Sequence, residues 1–324
     1  MIGPWHIHVD GNMIRRRSRL TVGAALLTAA LCHPFIHDAL AQASPTSAEL
    51  TTAVGTQPEI VSIVVPDMGT FGGDVSMHTE VYKPAGAGPF PVLIFSHGRS
   101  AQRAERALLE HPVLNGHVKY WLGKGFAVVA PIRVGYGQTG GPDRENSGAH
   151  FTRTGLCDGV PDFRRVAKAA SQDLLATIRW VREQPWADRE RIVLEGRSAG
   201  GFATIATAAT HPPGVIGYIN FSGGTGGAPE IAPGHSCDPE QMKAVMAEFG
   251  KTTTIPGIWL YAQNDLYWGP EVPREWFDAF ESSGAPAQFV DAGVLPGHDG
   301  HMLLTYGHKM WSVPVDRFLK QFGY

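Results

Sequence analysis

Three polar residues far apart in the chain have the types needed to activate an oxygen nucleophile and attack a carbonyl: Ser198, Asp265 and His301. Ser198 stands in Gly196-Arg197-Ser198-Ala199-Gly200, where the apolar run Arg191 to Glu195 gives way to the small-residue segment Gly200 to Thr210. A Gly-x-Ser-x-Gly pattern between a strand and a helix makes a turn too sharp for bulky neighbours, lifting the serine out of the fold. A serine hydroxyl is a poor nucleophile at neutral pH, so it requires a histidine base, and that base requires an orienting carboxylate. In this type of turn the acid and then the base follow the serine in the chain. Asp265 lies just beyond the apolar run Gly257 to Ala262. Asp291 and Asp299 compete with it, and Asn264 could equally close a turn there. The base is sought in "VLPGHDGHMLLTYGH". His301, backed by Met302, Leu303 and Leu304, has firmer support than His298 in its Pro-Gly loop, and His308 reads as a surface residue.

Two backbone amides are expected to receive the negative charge that develops on a carbonyl oxygen under attack. One is Ala199, at the start of the helix behind the serine. The other is Arg99, in the loop His97-Gly98-Arg99 that follows a strand. The Arg99 guanidinium has two readings of equal standing: it meets an anionic substrate group, or it pairs with a nearby acid such as Glu105. His97 reads as a structural loop residue. Tyr267 and Trp268, directly after Asp265, and Tyr136 are candidate substrate-binding aromatics, with Phe151 and Trp276 behind them; the alternative for each is the core.

Strands must hold these loops at one rim. Eight short runs predict them: 59–65 and 76–82, early strands joined by the Gly72-Gly73 turn, and the largely apolar 91–96, 126–131, 191–195, 214–221, 257–262 and 287–292. Helical segments are expected near 113–124, 162–183, 200–210, 239–249, 273–283 and 315–322. Such alternation predicts an α/β fold, a mostly parallel eight-stranded sheet with an antiparallel start, flanked by helices. Ligands of such sheets gather at the carboxyl ends of the strands, which is where Ser198, Arg99 and Asp265 fall. Residues 133–163 form a long insertion with little periodicity and read as a lid.

The apolar fraction of 43% over 324 residues is enough for a real core. A formal net charge of −3 gives no electrostatic footprint for nucleic acid. Residues 1–43 read as an export leader, with Arg15, Arg16, Arg17 and Arg19 ahead of an apolar run too short for a stable membrane anchor, and Ala41 and Ala43 before the cut. Residues 1–12 are an upstream extension, and Met13 is a possible start. Residues 44–58 form a linker, and 59–324 the folded domain. Cleavage leaves 23 basic against 28 acidic residues, with Cys157 and Cys237 as the remaining cysteines. Two cysteines in loop regions of an exported chain predict a disulfide.

"FSHGRS", "GFAVVAPIRVGYGQTGG", "LEGRSAGG", "YAQNDLYWGP" and "GHDGH" stand in the order found in α/β-hydrolases, and the chain resembles their bacterial dienelactone-hydrolase-like group over about residues 60–322. The resemblance implies Ser198 as nucleophile, Asp265 as acid and, through Asp299-Gly300-His301, His301 as base. Dienelactone hydrolases in the strict sense use cysteine; a serine, a leader and long insertions point instead to an exported hydrolase of small-molecule carboxylic esters. No cofactor or metal is called for, and the oligomeric state is not legible. Three other readings remain: a serine peptidase of the same fold, a metal-dependent hydrolase with His298, Asp299 and His301 as ligands, and a non-catalytic exported binding protein.

Overall fold

The structure is a computed structural model that describes residues 57–66, 73–100 and 102–324. The expected leader and residues 44–56 of the expected linker lie outside the described residues.

Eight strands form one sheet: β1 (Glu59–Val65), β2 (Val75–Tyr82), β3 (Phe90–Ser96), β4 (Ala127–Pro131), β7 (Ala187–Arg197), β8 (Val215–Phe221), β11 (Gly257–Tyr261) and β12 (Ala287–Asp291). Four further strands, β5 (His150–Phe151), β6 (Cys157–Asp158), β9 (Gly227–Ala228) and β10 (Ala232–Ser236), pair as two small hairpins outside it. The sheet order is β1-β2-β4-β3-β7-β8-β11-β12. β2 is antiparallel to both of its neighbours, and every pairing from β4 onward is parallel. The parallel part therefore brings the ends of β3, β7, β8 and β11 to a single rim.

Covered on both faces, the central strands can be apolar at every position. In β3, Val92 and Ile94 point to one face and Leu93 and Phe95 to the other. The helices are α1 (Arg103–Ala107), α2 (Asn115–Gly123), α3 (Phe163–Arg182), α4 (Ala199–Ala208), α5 (Pro239–Thr252), α6 (Val272–Glu281), α7 (Leu303–Tyr306) and α8 (His308–Leu319). Phe163, Leu174, Phe202, Met246 and Trp276 of α3 to α6 pack on the first face. Trp121 of α2 and Trp311, Val315 and Phe318 of α8 pack on the second. Among the described residues no helix is long and apolar enough to cross a membrane. The last helix starts seven residues before the expected one, because Pro314 lies inside it rather than at its head.

The insertion at 133–163 is tied down at several points. Arg133 is fully buried, and its Nε and Nη2 donate to Glu145 at 2.6 and 3.0 Å. At the far end, Cys157 forms a disulfide with Cys237, after β10. At the near end, the Val134 amide donates to Asp173 of α3 at 2.9 Å. Burial raises the Asp173 carboxyl to about 7, since only one of its oxygens is hydrogen-bonded and charge there is poorly solvated. A folded-state value above the unfolded one gives a contribution that is full at low pH and lost as pH rises through about 7. Asp173→Asn keeps an oxygen for the Val134 amide and removes the titration. Urea unfolding at pH 5 and pH 7.5 should show the wild type losing more stability across that interval than the variant.

Candidate active site

Ser198 lies between the end of β7 and the first residue of α4, with φ 55° and ψ −128°. Such a conformation costs a non-glycine residue about 1–3 kcal/mol, so the surroundings must hold it. Its amide donates to Phe221 O at 2.9 Å, and its carbonyl accepts from Phe202 at 3.0 Å and Gly224 at 3.2 Å. The turn is tight because Gly200 permits it: a Cβ there would collide with the carbonyls of Ser96 and His97.

Asp265, in the turn after β11, is 2% exposed. His301 Nδ1 donates to both of its carboxylate oxygens, at 3.1 and 3.0 Å. The Tyr267 and Trp268 amides also donate to Asp265 Oδ1, at 2.8 and 3.2 Å. Asp299 does not compete as the acid; its Oδ1 accepts from the amides of Leu266 and His301, both at 2.9 Å, and so fastens the two loops together. Asn264 does the same through Leu295 and the carbonyl of His298. Asp291 is exposed and takes Gln263. His298 is exposed and stacks on Tyr306 at 4.0 Å, and His308 is also exposed.

With Nδ1 committed to Asp265, His301 Nε2 is the nitrogen left to accept a proton. The structure joins His301 to Asp265 by hydrogen bonds but shows none between Ser198 and His301. Two links bring them to the same rim. Trp268 donates to Ser222 O at 2.8 Å and meets the His301 ring edge-on at 5.7 Å. Arg197, adjacent to Ser198, reaches Thr305 Oγ1 at 3.4 Å, one helical turn beyond His301. Nucleophile-to-base hydrogen bonds in unliganded sites are often long and tighten on substrate binding.

The loop after β3 passes beside Ser198: a Cβ built on Gly98 would lie 3.5 Å from Ser198 Cβ. His97 is buried, and burial followed by the charge of Arg133 holds its pKa well below the ordinary value. The Arg133 amide donates to His97 Nε2 at 3.0 Å, so Nδ1 carries the proton and donates to Gly98 O at 2.7 Å. In a trans peptide the amide of Arg99 points opposite that carbonyl. His97 therefore fixes the direction of the Arg99 amide. Neither that amide nor that of Ala199 donates a hydrogen bond among the described residues.

Of the two readings of the Arg99 guanidinium, the structure shows pairing with an acid, though that acid is not Glu105. The guanidinium makes a double hydrogen bond to Asp143 in the insertion, at 2.7 and 2.8 Å, and Arg106 joins the same carboxylate at 2.9 Å. Glu105 instead takes Ser100 Oγ. Sequence reasoning missed Asp143 and Glu145 because both sit in a polar loop without periodicity; Arg133 directly after a strand was the available signal.

Of the three candidate substrate-binding aromatics, only Tyr267 is partly exposed, stacked on the His301 ring at 3.9 Å. Trp268 is buried beneath it and spends its indole N–H on Ser222. Tyr136 is buried too, its hydroxyl donating to Glu145 at 2.7 Å and its ring edge against His97. Both are corrected from pocket lining to packing, as is Trp276. His298, Asp299 and His301 do not converge on a point, since each is turned to a different partner. Among the described residues no cluster of three His, Cys, Asp or Glu side chains is set to hold a metal ion.

The family model for X-Pro dipeptidyl-peptidase (S15 family) matches residues 72–228, a little under half of the chain and including the serine turn. The sheet, too, has counterparts among solved structures. A dienelactone-hydrolase-like protein from Klebsiella pneumoniae aligns at 18% identity and a TM-score of 0.51, over 82% of this chain and 98% of that one. The chain has the α/β-hydrolase fold. An esterase from Pyrococcus furiosus aligns with it at 14% identity and a TM-score of 0.54, over 85% and 94% of the two chains. An acylaminoacyl peptidase from Pyrococcus horikoshii aligns at 14% and 0.53, over 86% of this chain and 44% of its own. No curated protein matches in sequence. These similarities extend to the fold.

The two histidines can be told apart directly. His301→Ala removes the group bonded to Asp265 and should abolish whatever hydrolysis the wild type shows, whereas His298→Ala removes an exposed ring and should leave kcat within about threefold. Initial rates on a short-chain chromogenic ester, with circular dichroism to check folding, decide the matter.

Proposed function

We propose that the protein is an exported carboxylic ester hydrolase working by acyl transfer. Ser198 Oγ attacks the ester carbonyl while His301 Nε2 takes its proton; Asp265 holds the ring and stabilises the imidazolium. The amides of Ala199 and Arg99 receive the oxyanion, and the His301 proton passes to the leaving alcohol. Water activated by the same imidazole then releases the acid. No cofactor enters. The observation that carries this reading is the Asp265–His301 pair at the rim where Ser198 occupies its strained turn.

An ester rather than a peptide is favoured by the extent of the similarities. The esterase-type neighbours are covered almost whole, at 98% and 94%, while the acylaminoacyl peptidase is covered over 44%. The match to the X-Pro dipeptidyl-peptidase family keeps peptide cleavage as the second reading. The insertion serves here as a fixed rim of the site, braced by Asp143 and the disulfide, more than as a swinging lid. A disulfide also suits an oxidising compartment, in keeping with the leader-like residues 1–43.

The test uses the purified chain with short-chain 4-nitrophenyl esters and, in parallel, an X-Pro anilide. Ester turnover and phosphonate labelling should both be present in the wild type and absent in a folded Ser198→Ala variant. Turnover of the anilide with no reaction on any ester would replace the ester reading by the peptidase one.

A further inference from the structure

The residue before the nucleophile, Arg197, is built differently from the other arginines around the site. Arg99 and Arg106 share Asp143, and Arg133 is clasped by Glu145. Arg197 meets no carboxylate among the described residues; its hydrogen bond is to Thr305 Oγ1 at 3.4 Å. Its side chain is partly buried, and the loss of water around it lowers its pKa from the ordinary arginine value. Holding a partly desolvated guanidinium without a counter-charge has a cost, so a site that keeps one gains when an anion arrives.

The position of this charge is defined by the groups around it. A Cβ placed on Gly98 would lie 3.2 Å from Arg197 Nε and 3.6 Å from Nη2, and 3.5 Å from Ser198 Cβ. The guanidinium thus passes over the one residue of the oxyanion loop that has no side chain, beside the nucleophile. Thr305 bounds it on the His301 side, and Tyr267, whose ring covers His301, lies close enough to interact with it electrostatically. The groups framing Arg197 are the groups framing the reaction.

We infer that Arg197 is a specificity-determining residue that binds a carboxylate carried by the ester substrate, so that the preferred substrates are anionic esters. This rests on the ester-hydrolase reading of Ser198. A carboxylate can accept two N–H donors from one guanidinium and restore the missing counter-charge. It also orients the ester, because the second anchor lies beside the attacking oxygen rather than at the protein surface.

Two matched pairs of esters separate the acyl and the alcohol sides: mono-4-nitrophenyl adipate against its methyl diester analogue, and 4-acetoxybenzoate against methyl 4-acetoxybenzoate. The ratio of kcat/KM for the anionic over the neutral member is measured in wild type, Arg197→Gln and Arg197→Lys. In at least one pair the ratio should fall at least tenfold in the glutamine variant, chiefly through KM, with partial recovery in the lysine variant. A second readout needs no turnover: calorimetric titration with adipate should show binding to wild type that weakens at least tenfold in Arg197→Gln. Equal losses on both members of each pair, or adipate binding that does not change between the two proteins, overturns the inference. If the neutral esters prove inert while adipate still binds through Arg197, the anion site stands and it is the ester reading that fails.

Discussion

The backbone of Ser198 is the constraint on which the site depends. A non-glycine residue at φ 55° is held against its own preference, and the surroundings use both of its backbone polar groups to do so. The amide is tied to Phe221 at the end of β8, and the carbonyl to Gly224 and Phe202. The strand next to β7 therefore fixes the direction in which the hydroxyl leaves the fold. Gly200 makes room for the loop after β3 to come in contact, which brings the Arg99 amide to the same rim as that of Ala199. A parallel sheet supplies all of this through one property: the ends of β3, β7, β8 and β11 face the same way.

Around that turn, charge is managed in two ways. On the β3 side, Arg133, Glu145, Tyr136, Arg99, Asp143 and Arg106 form a connected polar network between the core and the insertion. Within it, Arg133 offsets the cost of burial and holds the Glu145 carboxyl below its ordinary value. On the β11 side, Asp265 accepts two amides as well as the imidazole, so its position is fixed before any substrate binds. Satisfied buried networks of this kind set geometry more than they add stability. Against that background the uncompensated guanidinium of Arg197 is the exception, which is why it reads as a group awaiting a ligand.

Much of this was legible in the chain because the sheet announces itself. Most strands of the sheet hold a short, largely apolar run closed by Gly, Pro or polar residues, and the pentapeptide at Ser198 gives the site its first member. The order of acid and base then reduced the choices to a few residues. What stayed hidden depended on distance in sequence. Asp143 stands 44 positions from Arg99, and nothing in the polar loop between marks them as partners. Tyr136 and Trp268 looked like pocket walls because an aromatic next to a catalytic motif is chemically suited to that; their hydroxyl and indole N–H had found buried acceptors instead. Pro314 concealed the start of the last helix, since a proline is expected at a helix head rather than in its interior. The hairpins β5/β6 and β9/β10 are too short to carry a periodic signal.

The central claim is covalent: during turnover the acyl group resides on one particular oxygen. Mixing the protein with a slowly deacylating chromogenic ester, quenching in acid within milliseconds and measuring the intact and peptide masses tests it most directly. The account predicts an increase equal to the acyl group, carried by the peptide that contains Ser198 and disappearing as product forms. Full turnover with no adduct, or an adduct confined to another residue, would contradict it.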